Sequence, residues 1–457
     1  MQRLEAGVGK VDISPPTGVE LSGHGLYLRR KCRGIHDRLY CRSLILSDNN
    51  TDVLLINNDL LGITEETLDR TRKLVKKRLG INPGNVIITS THTHSGPATI
   101  PLRGLGKIDE QYVSSLPDKF LQSAVIANKN KKKARIGFKS KTIEGVSFNR
   151  SVKNGPVDRE LSILYIRTKG QTFTLFNYAC HPVSIDARTE DAFYCSADWP
   201  GYAMKTIEEK EGGMSIFLQG PCGNIDPLVA WCMRGFDAAE AIGKRVATKI
   251  LGTSKEIDLK DDLELEIKSH KIELPLQPFT IERVLKNLAE ATKDFLLKHT
   301  HTRTRPFSTH VSFKNTAKQV RFYMEWAGSM IKKINDKLPS ELNTEIQVLR
   351  IGETALIFLP GEEFVELGLQ IKRKSPFQKN MVISLSGHYI GYIPTLACYQ
   401  KKGYDAYKFP MMLGNPLYPP NIGSIIVGHA LYLLEKVADK SSLQENSACE
   451  RVDRDVR

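Results

Sequence analysis

Apolar and polar residues follow two different periods along this chain, and the periods alternate in a regular order. Residues 39–46 and 53–57 are apolar runs on either side of an Asp48, Asn49, Asn50 turn and predict two strands. Residues 65–79 place apolar side chains at helical spacing, with Gly80 and Pro83 ending the helix. An apolar strand at 85–89 follows, so the segment reads as strand–helix–strand and predicts a parallel pair in the sheet. Further on, 110–128 predicts a helix and 136–138, 161–167 and 172–179 predict strands. Helices at 198–210 and 236–251 enclose a short strand at 215–218. Residues 260–274 alternate as a strand, and 281–298 and 317–337 are amphipathic helices separated by a segment rich in Thr, His, Arg and Pro. The strand pattern returns at 346–351, 355–359 and 381–385, and a last helix is predicted at about 423–437.

Together these elements predict an α/β fold, a layered domain with mixed β-sheets and flanking helices, its site at strand C-termini. One domain is expected over 1–438, with 275–340 as a helical insert against one side and a polar, disordered tail at 439–457. The chain has 457 residues, 41% of them hydrophobic, enough for a sizeable core. No run reaches the ~18–20 apolar residues of a membrane span. The first ten residues lack the apolar core of a signal peptide, so a cytoplasmic location is expected. Eight cysteines without a CxxC pair fit free, mostly buried thiols.

Net charge is +14, and part of the excess sits at Lys129, Lys131, Lys132, Lys133 and Arg135. A solvated loop is the simplest account of that run; peripheral contact with an anionic membrane surface is the functional alternative. The chain carries no helix-turn-helix, zinc-finger or aromatic-basic pattern, so no nucleic-acid partner is expected. His299, His301 and His310 fall among basic residues and read as surface groups. Oligomeric state is not legible in the sequence.

Chemistry concentrates where apolar strands end. The strand at 85–89 runs into Thr91, His92, Thr93, His94, then Gly96 and Pro97. On an extended backbone, residues two apart share a face, which would set both imidazoles side by side at a turn. Such a pair can bind a metal or move protons, or it can be a polar, hydrogen-bonded turn. His181 follows a second apolar run, Asp226 a third and Glu362 a fourth. Two histidines and a carboxylate with one position left open is a familiar catalytic zinc set.

These residues sit within a longer series of motifs. Gly7, Gly9 and Asp12 are followed by Gly34, His36, Asp37 and Arg38, the histidine pair, and Phe148 to Ser151. Then come His181, Ser196 to Gly201, Gly223 to Pro227, Pro360 to Glu362, Gly391 and Tyr392, and Tyr404 twelve residues later. In this order, from about residue 6 to 435, the chain resembles the catalytic domain of the neutral (alkaline, non-lysosomal) ceramidases, zinc amidohydrolases that cleave ceramide to sphingosine and a fatty acid. The resemblance implies one Zn²⁺ on His92, His181, Glu362 and Tyr392, with Tyr389 as the neighbouring alternative to Tyr392. It implies His94 near the substrate carbonyl, and Arg150 and Tyr404 lining the pocket, Arg150 having an ordinary ion pair as its alternative. The implied substrate is a small-molecule or lipid amide.

The resemblance departs from the family at one position. Ceramidases carry a serine where this chain has Asp226. The carboxylate has four readings: general base, holder of a second cation, partner of a cationic substrate group, or cap of an Asp-Pro turn. Asp198 reads equally as a partner behind a ligand histidine or as a helix N-cap. The resemblance does not extend to the family's C-terminal β-sandwich. The expected function is therefore a zinc-dependent, ceramidase-like amide hydrolase, with Asp226 among its catalytic residues. A zinc hydrolase of a different amide or ester, or a non-catalytic metal-binding relative, stands as the alternative.

Overall fold

The computed structural model describes residues 4–228, 233, 235–297 and 316–438. His299, His301, His310, Cys232, Cys449 and the 439–457 tail lie outside the described residues.

An eight-stranded mixed sheet dominates the fold. Its spatial order is β11 (Met214–Gln219), β9 (Gln171–Tyr178), β8 (Glu160–Thr168), β6 (Lys132–Thr142), β1 (Glu5–Asp12), β3 (Tyr40–Ser47), β4 (Asp52–Asn58) and β5 (Val86–Ser90). The centre is antiparallel and each edge is a parallel pair, β4 with β5 and β9 with β11. A second sheet of four strands runs β13 (Leu265–Pro275), β14 (Glu341–Ile351), β15 (Thr354–Phe358) and β17 (Lys379–Ile383). Its parallel pair is β15 with β17.

Period-two alternation decides how the layers stack. Val53 and Leu55 of β4 enter a core shared with the second sheet, where they meet residues such as Leu349, Phe358 and Met381. Leu54 and Ile56, on the other face, pack under α1 (Glu65–Leu79) and α2 (Glu110–Lys129). Helices α3 (Asp198–Glu211) and α4 (Gly235–Leu251) cover the β8, β9, β11 end of the same face. The outer face of the second sheet is covered by α7 (Val365–Lys374) and α11 (Ile422–Val437). The order is helices, sheet, sheet, helices: the layered α/β arrangement with mixed sheets that the patterning predicts.

Each parallel pair needs a helical crossover, and α1, α3 and α7 supply the three. All three pairs present their C-terminal ends at one place. Buried amides stitch these ends together where no ladder does. Asn57 donates to the Phe217 carbonyl at 3.0 Å, and Asn177 donates to the Val382 carbonyl at 3.1 Å.

Two expectations are corrected. Lys132 and Lys133 form no loop: they open β6, whose solvent-facing positions carry the charge while Ala134 and Ile136 enter the core. The histidine pair does not lie on an extended backbone. β5 stops at Ser90, and His92 takes a left-handed conformation (φ 69°) with its N–H bonded to the Leu60 carbonyl.

The helices α5 (Ile281–Leu297) and α6 (Thr316–Asn335) leave the second sheet between β13 and β14. Those strands pair over their full length, and Leu276 N–H bonds the Ser340 carbonyl where the helical excursion begins and ends. Val284, Phe322, Trp326 and Met330 pack against Leu61, Leu102, Leu105 and Phe409. Trp326 is fully buried there. Trp326→Ala removes the largest side chain of this contact and is expected to lower stability by about 3–5 kcal/mol, measured by denaturant unfolding. A change under ~1 kcal/mol would mean that the helical pair is not packed on this wall.

Candidate metal centre

The ends of the three parallel pairs deliver the histidines and carboxylates into one pocket. His92 and His94 follow β5, His181 follows β9, and Glu362 begins the two-residue strand β16 (Glu362–Glu363) just after β15. β16 pairs in parallel with β18 (Tyr392–Ile393), setting Glu362 directly beside Tyr392. The pocket is lined by His92, His94, Glu362, Tyr389, Tyr392 and Tyr404 on its polar side. Leu61, Leu102, Leu105, Val183 and Phe409 form its apolar side.

The tautomers decide what the pocket can hold. His92 Nδ1 faces the Leu61 carbonyl at 2.7 Å, His94 Nδ1 the Gly23 carbonyl at 2.9 Å, and His181 Nδ1 the Ile225 carbonyl at 3.2 Å. A carbonyl oxygen only accepts, so each Nδ1 must carry the proton, and each Nε2 is left with a lone pair. The three imidazoles offer donor atoms within 4.8 Å of one another. His94 Nε2 is 3.4 Å from His92 Nε2. Glu362 Oε2 stands 3.0 Å from His181 Nε2 and 3.2 Å from His92 Nε2. Three lone pairs and a carboxylate aimed at one buried point repel unless a cation, a shared proton or a metal ion, lies between them. This donor set fits a divalent metal, zinc being the borderline-soft ion that imidazole and carboxylate suit.

The surroundings hold these groups in place. Arg30, fully buried, donates to the His94 carbonyl at 2.9 Å and to the Ala192 carbonyl at 2.8 Å, and it also bonds the Ser22 carbonyl. Gly23 (φ 97°) lies so close to His94 that a Cβ would meet the ring at 2.7 Å, so only glycine permits this approach. Trp199 Nε1 donates to the His181 carbonyl at 3.1 Å. Asp198 accepts from the Ser184, Ile185 and Trp199 N–H groups. Its role is to cap backbone between His181 and α3, and burial pushes its carboxyl up to about 6.

The electrostatics follow from burial and neighbours. Burial, then the other imidazoles of His92, His24 and His181, hold His94 well below the usual histidine range. Burial alone would raise Glu362, but His92 and His181 outweigh it and keep the carboxylate ionised. Burial and Glu362 hold the phenol protons of Tyr389 and Tyr392.

The residues singled out in the sequence are placed as follows. His92, His94, Glu362, Tyr392 and Tyr404 line the pocket, and His181 stands behind it on Glu362. Arg150 is buried and donates 3.0 Å to Asp226, 3.0 Å to Asp405 and 3.2 Å to the Tyr392 oxygen. Asp226 is thus the ion-pair partner of Arg150, 3.9 Å behind His181 Nδ1. Tyr404 donates to the Met412 sulfur at 3.5 Å. Tyr389, the alternative to Tyr392, donates to Glu362 Oε1 and lies over His92. Sequence reading missed Arg30, Asp405 and His24, whose ring is 5.3 Å from that of His94. Asp405 follows Tyr404 directly, but neither it nor Arg30 stands at the end of an apolar strand.

With this geometry the comparisons are informative. The family sequence model described as neutral/alkaline non-lysosomal ceramidase, N-terminal, matches residues 4–241, just over half of the chain. The chain belongs to this family. A neutral ceramidase of Pseudomonas aeruginosa is 26% identical over 248 residues, which is 48% of this chain and 36% of that protein. One from Oryza sativa subsp. japonica is 26% identical over 282 residues, 56% of this chain and 34% of that protein. The match therefore spans about a third of the length of these curated relatives. The crystal structure of the Pseudomonas aeruginosa neutral ceramidase superposes with a TM-score of 0.71 at 21% identity, covering 96% of this chain and 76% of that one. A structure described as ceramidase complexed with C2 gives 0.70 at 20% identity, covering 95% and 75%. The ceramidase family match ends before Glu362, Tyr392 and Tyr404; the shared fold carries the likeness through them.

Adjacent glutamates should behave oppositely in this ceramidase-family site. Burial pushes Glu363, bonded by Ser384 Oγ, well above the usual carboxyl range, so it is neutral when folded and ionised when unfolded at neutral pH. The unfolded state then binds fewer protons, and this residue costs stability as pH rises above its unfolded value, by about 1.4 kcal/mol per unit until the folded value is passed. Glu363→Gln should remove that slope, so the variant gains on wild type with rising pH in denaturant unfolding. A pH-independent difference between the two proteins would rule out a neutral Glu363.

Proposed function

We propose that this chain is a zinc-dependent hydrolase of linear amides, with an N-acyl amide such as an N-acylsphingosine as substrate. The observation that carries the reading is the convergence of three imidazole lone pairs on a buried carboxylate. Family membership supports amide hydrolysis, and the apolar wall of Leu61, Leu102, Leu105, Val183 and Phe409 suits an alkyl chain next to the reacting bond.

His92, His181 and Glu362 would hold the ion, with Tyr392 completing the set from the neighbouring strand. A bound dication supplies an activated water and polarises the carbonyl to be attacked. The chain's own groups do the rest. His94 reaches the group through His92, is the more exposed of the pocket imidazoles, and has its Nδ1–H committed to Gly23. Its neutral Nε2 accepts the proton released on attack and returns it to the leaving amine. Tyr404, whose phenol burial keeps protonated, is a donor for the developing oxyanion. Arg150 orients Tyr392 through its 3.2 Å contact.

A second arrangement is favoured by the grouping of all three imidazoles within 4.8 Å, with His94 as a ligand in place of Tyr392. Zinc content separates the two. His94→Ala should keep about one zinc per chain and lose activity by ~10²-fold or more; loss of the zinc would make His94 a ligand. His92→Ala/His181→Ala should lose both zinc and hydrolysis. The assay is a panel of N-acylsphingosines, other N-acyl amides and esters, with and without chelator. Hydrolysis that a chelator leaves untouched would sink the metal reading, and preference for an ester would replace the amide. Because His94 must be neutral to accept a proton and lies well below its ordinary 6.5, activity should persist as pH falls through 6.5 and drop only below it. A limb at or above 6.5 would exclude His94 as the base.

A further inference from the structure

We propose that Arg103 and Lys333 form an anion subsite beyond the apolar wall of the pocket, and that it selects N-acyl amides carrying a phosphate or carboxylate group remote from the amide bond. The inference rests on the hydrolase reading above and names a substrate class which that reading leaves open.

The two cations come from distant parts of the chain. Arg103 stands in the turn whose Leu102 and Leu105 line the pocket, and its N–H bonds the Met412 carbonyl at 2.9 Å. Lys333 belongs to α6, at helical spacing from Trp326 and Met330, which pack on that wall. Its Nζ donates to the Gly414 carbonyl at 2.6 Å. Gly414 closes the short helix Phe409–Leu413 in the left-handed conformation (φ 67°). A Cβ at Gly414 would meet Lys333 Nζ at 3.5 Å and Arg103 Nη2 at 3.9 Å. The absence of a side chain there leaves a cradle between an ammonium and a guanidinium.

Among the described residues, neither cation is paired with a carboxylate. Glu325, the acidic residue of this stretch of α6, is already taken by Arg321 at 2.7 Å and by the Tyr27 hydroxyl at 2.6 Å. Arg103 Nε is buried and has no hydrogen-bond partner among the described residues. Trp326 Nε1, two turns before Lys333 on the same helix, is a second such donor at this interface. Burial, then the Arg103 charge, holds the Lys333 ammonium below the usual lysine range. An anionic oxygen group set in the cradle would supply an acceptor and screen the two charges from each other. Phosphate and carboxylate are the groups that a guanidinium fork and an ammonium recognise. Leu102, Leu105 and Phe409 are chain neighbours of the cradle and line the pocket. A substrate whose amide sits among the histidines and whose chain follows this wall therefore brings its far end to the cradle.

The test compares kcat/KM of the full-length protein on N-acyl amides that differ only in one remote group: phosphate, carboxylate or a neutral hydroxyl. One series carries the group at the end of the acyl chain and a second carries it on the amine. In one of the two series, wild type should prefer an anionic member over the hydroxyl by about tenfold or more. Lys333→Met and Arg103→Met should each bring that ratio down to about threefold or less, and Lys333→Arg should keep it. Circular dichroism checks folding; if Arg103→Met does not fold, the lysine variants carry the test alone. Equal hydrolysis of charged and neutral members in both series overturns the proposal and leaves the hydrolase reading intact. A Lys333→Met protein that slows on all members alike, its ratio unchanged, also overturns it, because that is the result of a merely structural lysine. Hydrolysis of no amide by wild type overturns the hydrolase reading and this proposal with it.

Discussion

Everything around the pocket answers to one constraint: three imidazole lone pairs and a carboxylate point at the same buried place. Lone pairs do not gather in a dry interior unprompted, so the rest of the protein must hold them there. The three backbone carbonyls that fix the tautomers come from separate segments: Leu61 after β4, Gly23 between β1 and β3, and Ile225 at the start of the short strand Ile225–Pro227 that follows β11. Parallel strands ending together give such segments a common meeting point, which is why this fold can host the site and a purely antiparallel sheet would find it harder. The left-handed backbone at His92 belongs to the same account. It is a small strain, of order 1 kcal/mol, held by the structure around it.

The buried amides Asn57 and Asn177 serve the constraint from behind. They carry hydrogen bonds across boundaries that no strand ladder crosses, tying both sheet edges and the second sheet at the depth of the histidines. Apolar packing alone tolerates slippage; a satisfied buried hydrogen bond does not. Ligand distances near 3 Å depend on such rigidity more than on total core size.

Much of this was legible in the sequence because strand ends announce themselves. An apolar run, an ionisable residue and a Gly or Pro mark His92, His94, His181, Asp226 and Glu362, and the periodicity places the helices between them. The layered class and the flanking helices follow from the same alternation. What stayed hidden depends on contacts between distant segments. Asp405 sits in a short helix whose residues have no period to read. Arg30 looks like any loop arginine until its three carbonyl partners are assembled. The partner of Asp226 is 76 residues away, and no local pattern distinguishes a carboxylate facing a guanidinium from one facing substrate. The extended geometry assumed at the histidine pair failed for a similar reason: the Leu60 carbonyl, not the local sequence, bends the chain at His92.

The helical pair α5 and α6 is, topologically, an enlarged hairpin loop. β13 and β14 remain partners along their whole length, and the chain departs and returns through a single backbone hydrogen bond between Leu276 and Ser340. Loops of this kind can lengthen or shorten at little entropic expense. None of the pocket histidines and carboxylates, nor Arg150, lies in that loop, yet it packs on the apolar wall of the pocket. The polar groups of the pocket and part of its apolar wall therefore reside in separable parts of the chain. Evolution could reshape the second by editing one connection, leaving the first untouched.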